Sequence, residues 1–118
     1  MLVQMLKSKI HRCRVTAIKP DYEGSLALDR DLVGASGLLE YEKILVANLT
    51  NGERFETYVI LAPKGSGEVS VNGAAARLCR KGDELIVMSF GLVEEKEAKS
   101  AKRKPVVVRV DRKNRPVA

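Results

Sequence analysis

The segment Asp21-Tyr22-Glu23-Gly24-Ser25 sets a serine hydroxyl next to a glycyl carbonyl. That hydroxyl can attack the Gly24 carbonyl, moving the acyl group from nitrogen to oxygen and leaving an ester. Loss of the Ser25 α-proton then expels the Gly24 carboxylate. The dehydroalanine left behind hydrolyses to a ketone at the new N-terminus. Glycine at position 24 suits this chemistry, because without a Cβ it admits unusual backbone angles and a close nucleophile. A Gly-Ser pair is also a common turn, and on that pair alone the turn is the better reading.

Other residues suit an anionic small molecule. Lys9 and His11 are two apart, so on a strand they point the same way. Arg54 and Tyr58 are four apart and share a strand face in the same manner. Arg54 has the fork geometry for a bidentate carboxylate contact. The backbone amides of Gly73, Ala74 and Ala75, at the start of a helical turn, can hold an anion. Each residue has an ordinary alternative: Lys9 as a solvated strand charge, His11 as a surface imidazole, Arg54 paired with Glu56. With one histidine and two well-separated cysteines, Cys13 and Cys79, no ligand spacing fits a zinc site, and no metal is expected.

The elements that must position these residues are mostly short strands. The spacing predicts a strand over Ile10–Ile18, a turn at Pro20-Asp21, and a short apolar run over Leu26–Leu28. Asp29 caps a short helix over Arg30–Ser36, ended by Gly37. Lys43–Asn48 and Arg54–Leu61 form a hairpin around Thr50-Asn51-Gly52. Val69–Val71 is a brief strand, and Gly73–Leu78 makes one or two helical turns. Lys81-Gly82-Asp83 turns into a strand over Glu84–Phe90. Glu94–Arg103 reads as a polar helix or loose segment, and Pro105–Val110 can add a last strand. The fold class is mainly β, a small barrel with short helices. Trp is absent and aromatics are 4% of the chain, so the core must be aliphatic.

At 118 residues the chain suits one domain. Its net charge of +6 is unevenly spread. Residues 1–93 carry 12 Lys+Arg against 11 Asp+Glu, whereas residues 94–118 carry nine against four. The division is therefore a barrel domain over 1–93 and a basic C-terminal segment of uncertain order over 94–118. Met1–Leu6 is too short for a signal peptide and basic residues follow at once, so the reading is cytoplasmic with reduced thiols. No membrane partner is expected.

Taken in order, Lys9-Ile10-His11-Arg12, Tyr22-Glu23-Gly24-Ser25, Thr50-Asn51-Gly52, Arg54, Thr57-Tyr58 and Ser70-Val71-Asn72-Gly73-Ala74-Ala75-Ala76 closely resemble the aspartate 1-decarboxylase family. The resemblance covers residues 1 to about 93. It implies a six-stranded double-psi β-barrel and a homotetramer with active sites between subunits. It implies self-cleavage between Gly24 and Ser25, with Ser25 becoming a covalent pyruvoyl group. That cofactor takes the amine of L-aspartate as a Schiff base and draws electrons as CO2 leaves, giving β-alanine for pantothenate and coenzyme A synthesis. By resemblance, Thr57 donates to the oxyanion of self-processing, Arg54 holds a substrate carboxylate, and Tyr58 donates the proton. Lys9, His11 and Thr57 add substrate contacts. Asn72 orients the pyruvoyl group, and Tyr22 flanks the cleavage site. Whether a maturation factor assists cleavage is open.

One tension follows from strand geometry: Thr57 faces away from Arg54 and Tyr58 unless a bulge re-aims it, or unless the two faces serve neighbouring subunits. The rival function is a non-cleaving small basic barrel that binds nucleic acid through its C-terminal tail. The balanced, aromatic-poor body and the absence of aromatics in the tail disfavour it, and no nucleic-acid partner is expected.

Overall fold

A computed structural model describes residues 1–117, so the final residue of the 94–118 segment lies outside the described residues. The described residues form nine strands: β1 (Leu2–Arg14), β2 (Ala17–Lys19), β3 (Ser25–Asp29), β4 (Lys43–Asn48), β5 (Arg54–Ala62), β6 (Val69–Asn72), β7 (Glu84–Glu94), β8 (Val106–Val110) and β9 (Pro116–Val117). Helices α1 (Arg30–Ser36) and α2 (Glu95–Ala98) are short, and a 3-10 turn spans Gly73–Leu78. The fold is mainly β, a small barrel, as the patterning predicts.

The strand order is β2-β6-β3-β5-β4-β7-β1-β8-β9. Where the resemblance implies six strands, the sheet holds nine among the described residues, with β2 at one end of the order and β8 and β9 at the other. β1 and β2 are consecutive stretches of one segment, yet they stand near opposite ends of that order. The sheet therefore curls until its ends meet. The crossing is stitched by Val15 N–H donating to the Asp83 carbonyl (2.9 Å) and Thr16 N–H to the Val69 carbonyl (2.8 Å). This crossing also divides the single strand expected over Ile10–Ile18. β1 begins earlier than expected, at Leu2, because its first half has the long β7 to pair with. Lys7 and Arg12 are extra residues in that ladder, and Arg12 has a left-handed φ of 69°.

Local chemistry explains the elements nearest the site. The Asp29 carboxylate accepts from Asp31 N–H (2.9 Å), capping α1, and from Gly65 N–H (3.0 Å) and Gly67 N–H (2.9 Å) in the loop opposite. Burial pushes its pKa up, but the Gly67, Asp31 and Gly65 amides outweigh this and hold it below the usual aspartate value. In the β4–β5 hairpin, the side-chain carbonyls of Asn48 and Asn51 accept from Thr50 N–H and Glu53 N–H. The basic segment folds back onto the barrel: β8 runs parallel to β1, pairing Ser8–His11 with Val106–Arg109. Buried Asn114 locks that return, bonding Arg14 N–H and the carbonyls of Arg14 and Gly67.

The core is aliphatic. Ile10, Leu26, Leu28, Ile44, Val46, Val59, Val69, Val71, Leu85 and Val87 meet inside, and no aromatic side chain is among the fully buried ones. Truncating one of the larger members to alanine costs about 2–5 kcal/mol.

Candidate active site

β3 and β6 pair antiparallel with Ser25 opposite Asn72. That register brings the two side chains together: the Asn72 Nδ2 donates to Ser25 Oγ at 2.9 Å. Asn72 Oδ1 in turn accepts from Ser70 Oγ at 3.0 Å. All three are buried, Ser25 at 3% exposure, so their polar atoms depend on one another.

Gly24 and Gly73 touch on the other side of the same bond. Gly73 has φ +76°, and a Cβ built there would lie 2.6 Å from Gly24 Cα, 2.9 Å from Gly24 N and 3.2 Å from the Tyr22 carbonyl oxygen. The backbone freedom expected at Gly24 is not used there: its own φ is outside the left-handed region, and a Cβ on it would meet open space. The close approach is made by Gly73. Ala74 and Ala75 follow in the 3-10 turn, Ala74 exposed and Ala75 partly buried.

Ser25 opens onto a cleft of about 530 Å³ lined by Asp21, Tyr22, Glu23, Ser25, Tyr41, Tyr58 and Ile60. Tyr58, 37% exposed on β5, thus shares the cleft with Ser25. Tyr41 faces Tyr58 with ring centroids 6.5 Å apart. Sequence reasoning missed Tyr41, since the loop holding it carries no motif. The loop is clipped to β5 by Tyr41 N–H donating to the Val59 carbonyl (2.7 Å) and Val59 N–H to the Glu42 carbonyl (3.0 Å). Tyr22 sits at the rim with Lys19 Nζ 5.2 Å from its ring centroid.

The cations do not line this cleft. Lys9 and His11 share the outward face of β1, opposite Met88 and Ile86 on one side and Val107 and Arg109 on the other. Burial and then the charges of Lys9, Arg109 and Arg12 hold the His11 imidazole below the usual histidine value. Arg54 begins β5, opposite Ala47 and exposed. Its expected rival partner Glu56 pairs with Lys43 instead (3.0 Å), and Arg54 has no ion-pair partner among the described residues. Thr57 pairs with Ile44 in an unbroken register from Lys43–Ala47 to Arg54–Tyr58, so no bulge re-aims it. It is half-buried on the inner face with Phe55 and Val59.

The one-chain cleft therefore holds a hydroxyl, phenols and two carboxylates, but no cation. Neither thiol adds a nucleophile: burial pushes Cys13 up to about 12 and Cys79 up to about 11. Among the described residues no cluster suited to a metal ion is present, and no helix is long and apolar enough to cross a membrane.

The family described as aspartate decarboxylase matches residues 1–117 of the chain. Relatives named aspartate 1-decarboxylase include one from Lactiplantibacillus plantarum, 51% identical over 115 residues, covering 98% of this chain and 87% of that protein. Another, from Coprothermobacter proteolyticus, is 59% identical over 97 residues, covering 82% of this chain and 81% of its own length. A third, from Leptospira biflexa, is 48% identical over 116 residues, 98% of each chain.

Proposed function

The chain belongs to the aspartate decarboxylase family, and on that premise we propose that it cleaves itself before Ser25 and converts L-aspartate to β-alanine and CO2. One observation carries the reading: Ser25 follows Gly24 directly, its hydroxyl is held by Asn72, and it opens onto a cleft shared with Tyr58. The residues present fit a pyruvoyl group at position 25, because a strand N-terminus at a cleft wall, with an amide donor alongside, can present a ketone to a small amine.

Self-processing uses groups of this chain. Ser25 Oγ bonds to the Gly24 carbonyl carbon, the Gly24–Ser25 C–N bond breaks, and the nitrogen takes up the hydroxyl proton. Thr57 is the assigned donor to the oxyanion. Loss of the Ser25 α-proton then releases the Gly24 carboxylate. Addition of water and departure of ammonia leave the ketone, which when formed supplies an electron sink as a carboxylate departs as CO2. Tyr58 Oη is the proton donor to the carbon that loses CO2.

Binding requires two carboxylates to be met by cations, and Asp21 and Glu23 already make the cleft acidic. Lys9, His11 and Arg54 are the assigned contacts, together with the amides of Gly73, Ala74 and Ala75. Since those side chains do not line their own cleft, a second copy supplies them, and we read the working enzyme as a homotetramer. The protein acts in the cytoplasm, where two buried free thiols stay reduced.

The test is intact mass under denaturing conditions, followed by β-alanine release from L-aspartate. Fragments 1–24 and 25–118, with a pyruvoyl mass on the second, are expected. Ser25→Ala should stay whole and inactive while folded, and β-alanine production by that variant would sink the mechanism.

A further inference from the structure

Ser70 is a fully buried hydroxyl on β6, between Val69 and Val71. Its side chain makes one hydrogen bond among the described residues, to Asn72 Oδ1 at 3.0 Å. A buried hydroxyl is costly unless it is bonded, and a strand position flanked by valines would accept an aliphatic residue for packing alone. Ser70 and Asn72 are two apart, so their side chains stand on the same face. From there Asn72 reaches across to Ser25 Oγ at 2.9 Å.

We propose that Ser70 is a positioning residue for self-cleavage, fixing the Asn72 amide so that its N–H group is presented to Ser25 Oγ. This rests on the reading that the chain cleaves before Ser25. An asparagine amide has one carbonyl side and one amine side. With the carbonyl held by the Ser70 hydroxyl, the amine is turned to Ser25. Ser25 Oγ then accepts a hydrogen bond, keeps its own proton free to leave in another direction, and is held in place for attack while the oxyanion forms on the Gly24 carbonyl oxygen. The opposing side of the bond is fixed by backbone, since Gly73 lies against Gly24 Cα. The reacting oxygen and the carbonyl it attacks are thus each held by a neighbour on the same stretch, Ser70–Gly73, and a small displacement of either slows attack.

The experiment follows freshly purified precursor by intact mass as it separates into residues 1–24 and 25–118 at one temperature. Ser70→Ala, and Ser70→Cys with similar volume but a weak donor, are each expected to cleave about tenfold more slowly than the parent, the net worth of one hydrogen bond. Their melting temperatures should stay within a few degrees of it. Ser70→Thr, which keeps the hydroxyl on a side chain suited to a strand, should return the rate to within about threefold. Parental cleavage rates in both Ser70→Ala and Ser70→Cys would overturn the assignment. A slow alanine variant beside a fast cysteine variant would overturn it too, because volume alone would then account for the effect. If the parent chain itself never cleaves, the self-cleavage reading falls first and takes this inference with it.

Discussion

Replacing Gly73 by alanine should destabilise the uncleaved protein through two separable effects. The first is conformational: at φ +76° an L-residue is held in left-handed backbone, at a cost of about 1–2 kcal/mol. The second is steric. The new methyl would stand 2.6 Å from Gly24 Cα and 2.9 Å from Gly24 N, well inside carbon contact distance, and both obstacles are backbone. Overpacking of that kind adds about 1–3 kcal/mol. Gly82→Ala isolates the first effect, since Gly82 has φ +93° with nothing within 4 Å of its added Cβ. The Gly73 variant should therefore fall below the Gly82 variant by about 1–3 kcal/mol, or some 4–12 °C in melting temperature for a chain this size. Both are made on a Ser25→Ala background, so that the Gly24–Ser25 bond stays whole. Trp is absent, which makes calorimetry the natural probe, and protomer concentration is held constant because assembly shifts the transition. If the two variants melt within a degree or two of each other, Gly73 is not pressed against Gly24 and the account of the cleavage site fails.

Tyr58→Phe should cleave normally but decarboxylate at least about a hundredfold more slowly, the usual scale for a general acid; undiminished turnover removes Tyr58 as the proton donor. Co-expressing Ser25→Ala with Arg54→Ala chains should restore activity that neither has alone, because a mixed assembly can form a cleft with both groups intact; no restoration in a verified mixed oligomer refutes the two-copy site. Asp29 has a folded pKa below its ordinary value, so its contribution is present above that ordinary value and is lost as pH falls through the folded one. Asp29→Ala should accordingly cost about 2–4 kcal/mol at pH 7, from a lost cap and stranded amides, with the gap to the parent narrowing in acid; urea midpoints across pH 2–7 check this, and a pH-independent gap refutes it.

Local signals in the sequence carried over well. The Asp29 cap and Gly37 stop bound α1 because capping is settled within a few residues. Asn51-Gly52 made the β4–β5 hairpin for the same reason. What escaped depends on contacts distant in sequence. β8 reaches β1 by a parallel pairing about a hundred residues away, and no property of Val106–Val110 names its partner. Tyr41 joins the cleft through a loop clip to Val59, with no motif to announce it. Gly24 drew attention for its flexibility, whereas the residue that needs to be glycine there is Gly73, a requirement visible only once the two meet. Lys9, His11 and Arg54 were grouped by chemistry, and one chain leaves them away from the cleft.

The strand arrangement also says what a cut before Ser25 does to the whole molecule. Residues 1–24 contain β1 and β2, which pair with β7 and β8 on one flank and β6 on the other. A break at Gly24 severs the chain but not the hoop: the short fragment remains as a clasp, gripped along its length by strands of the long one. Such a cut would therefore free a new chain end without shedding a peptide, and the two pieces should copurify until the hydrogen bonds themselves are melted.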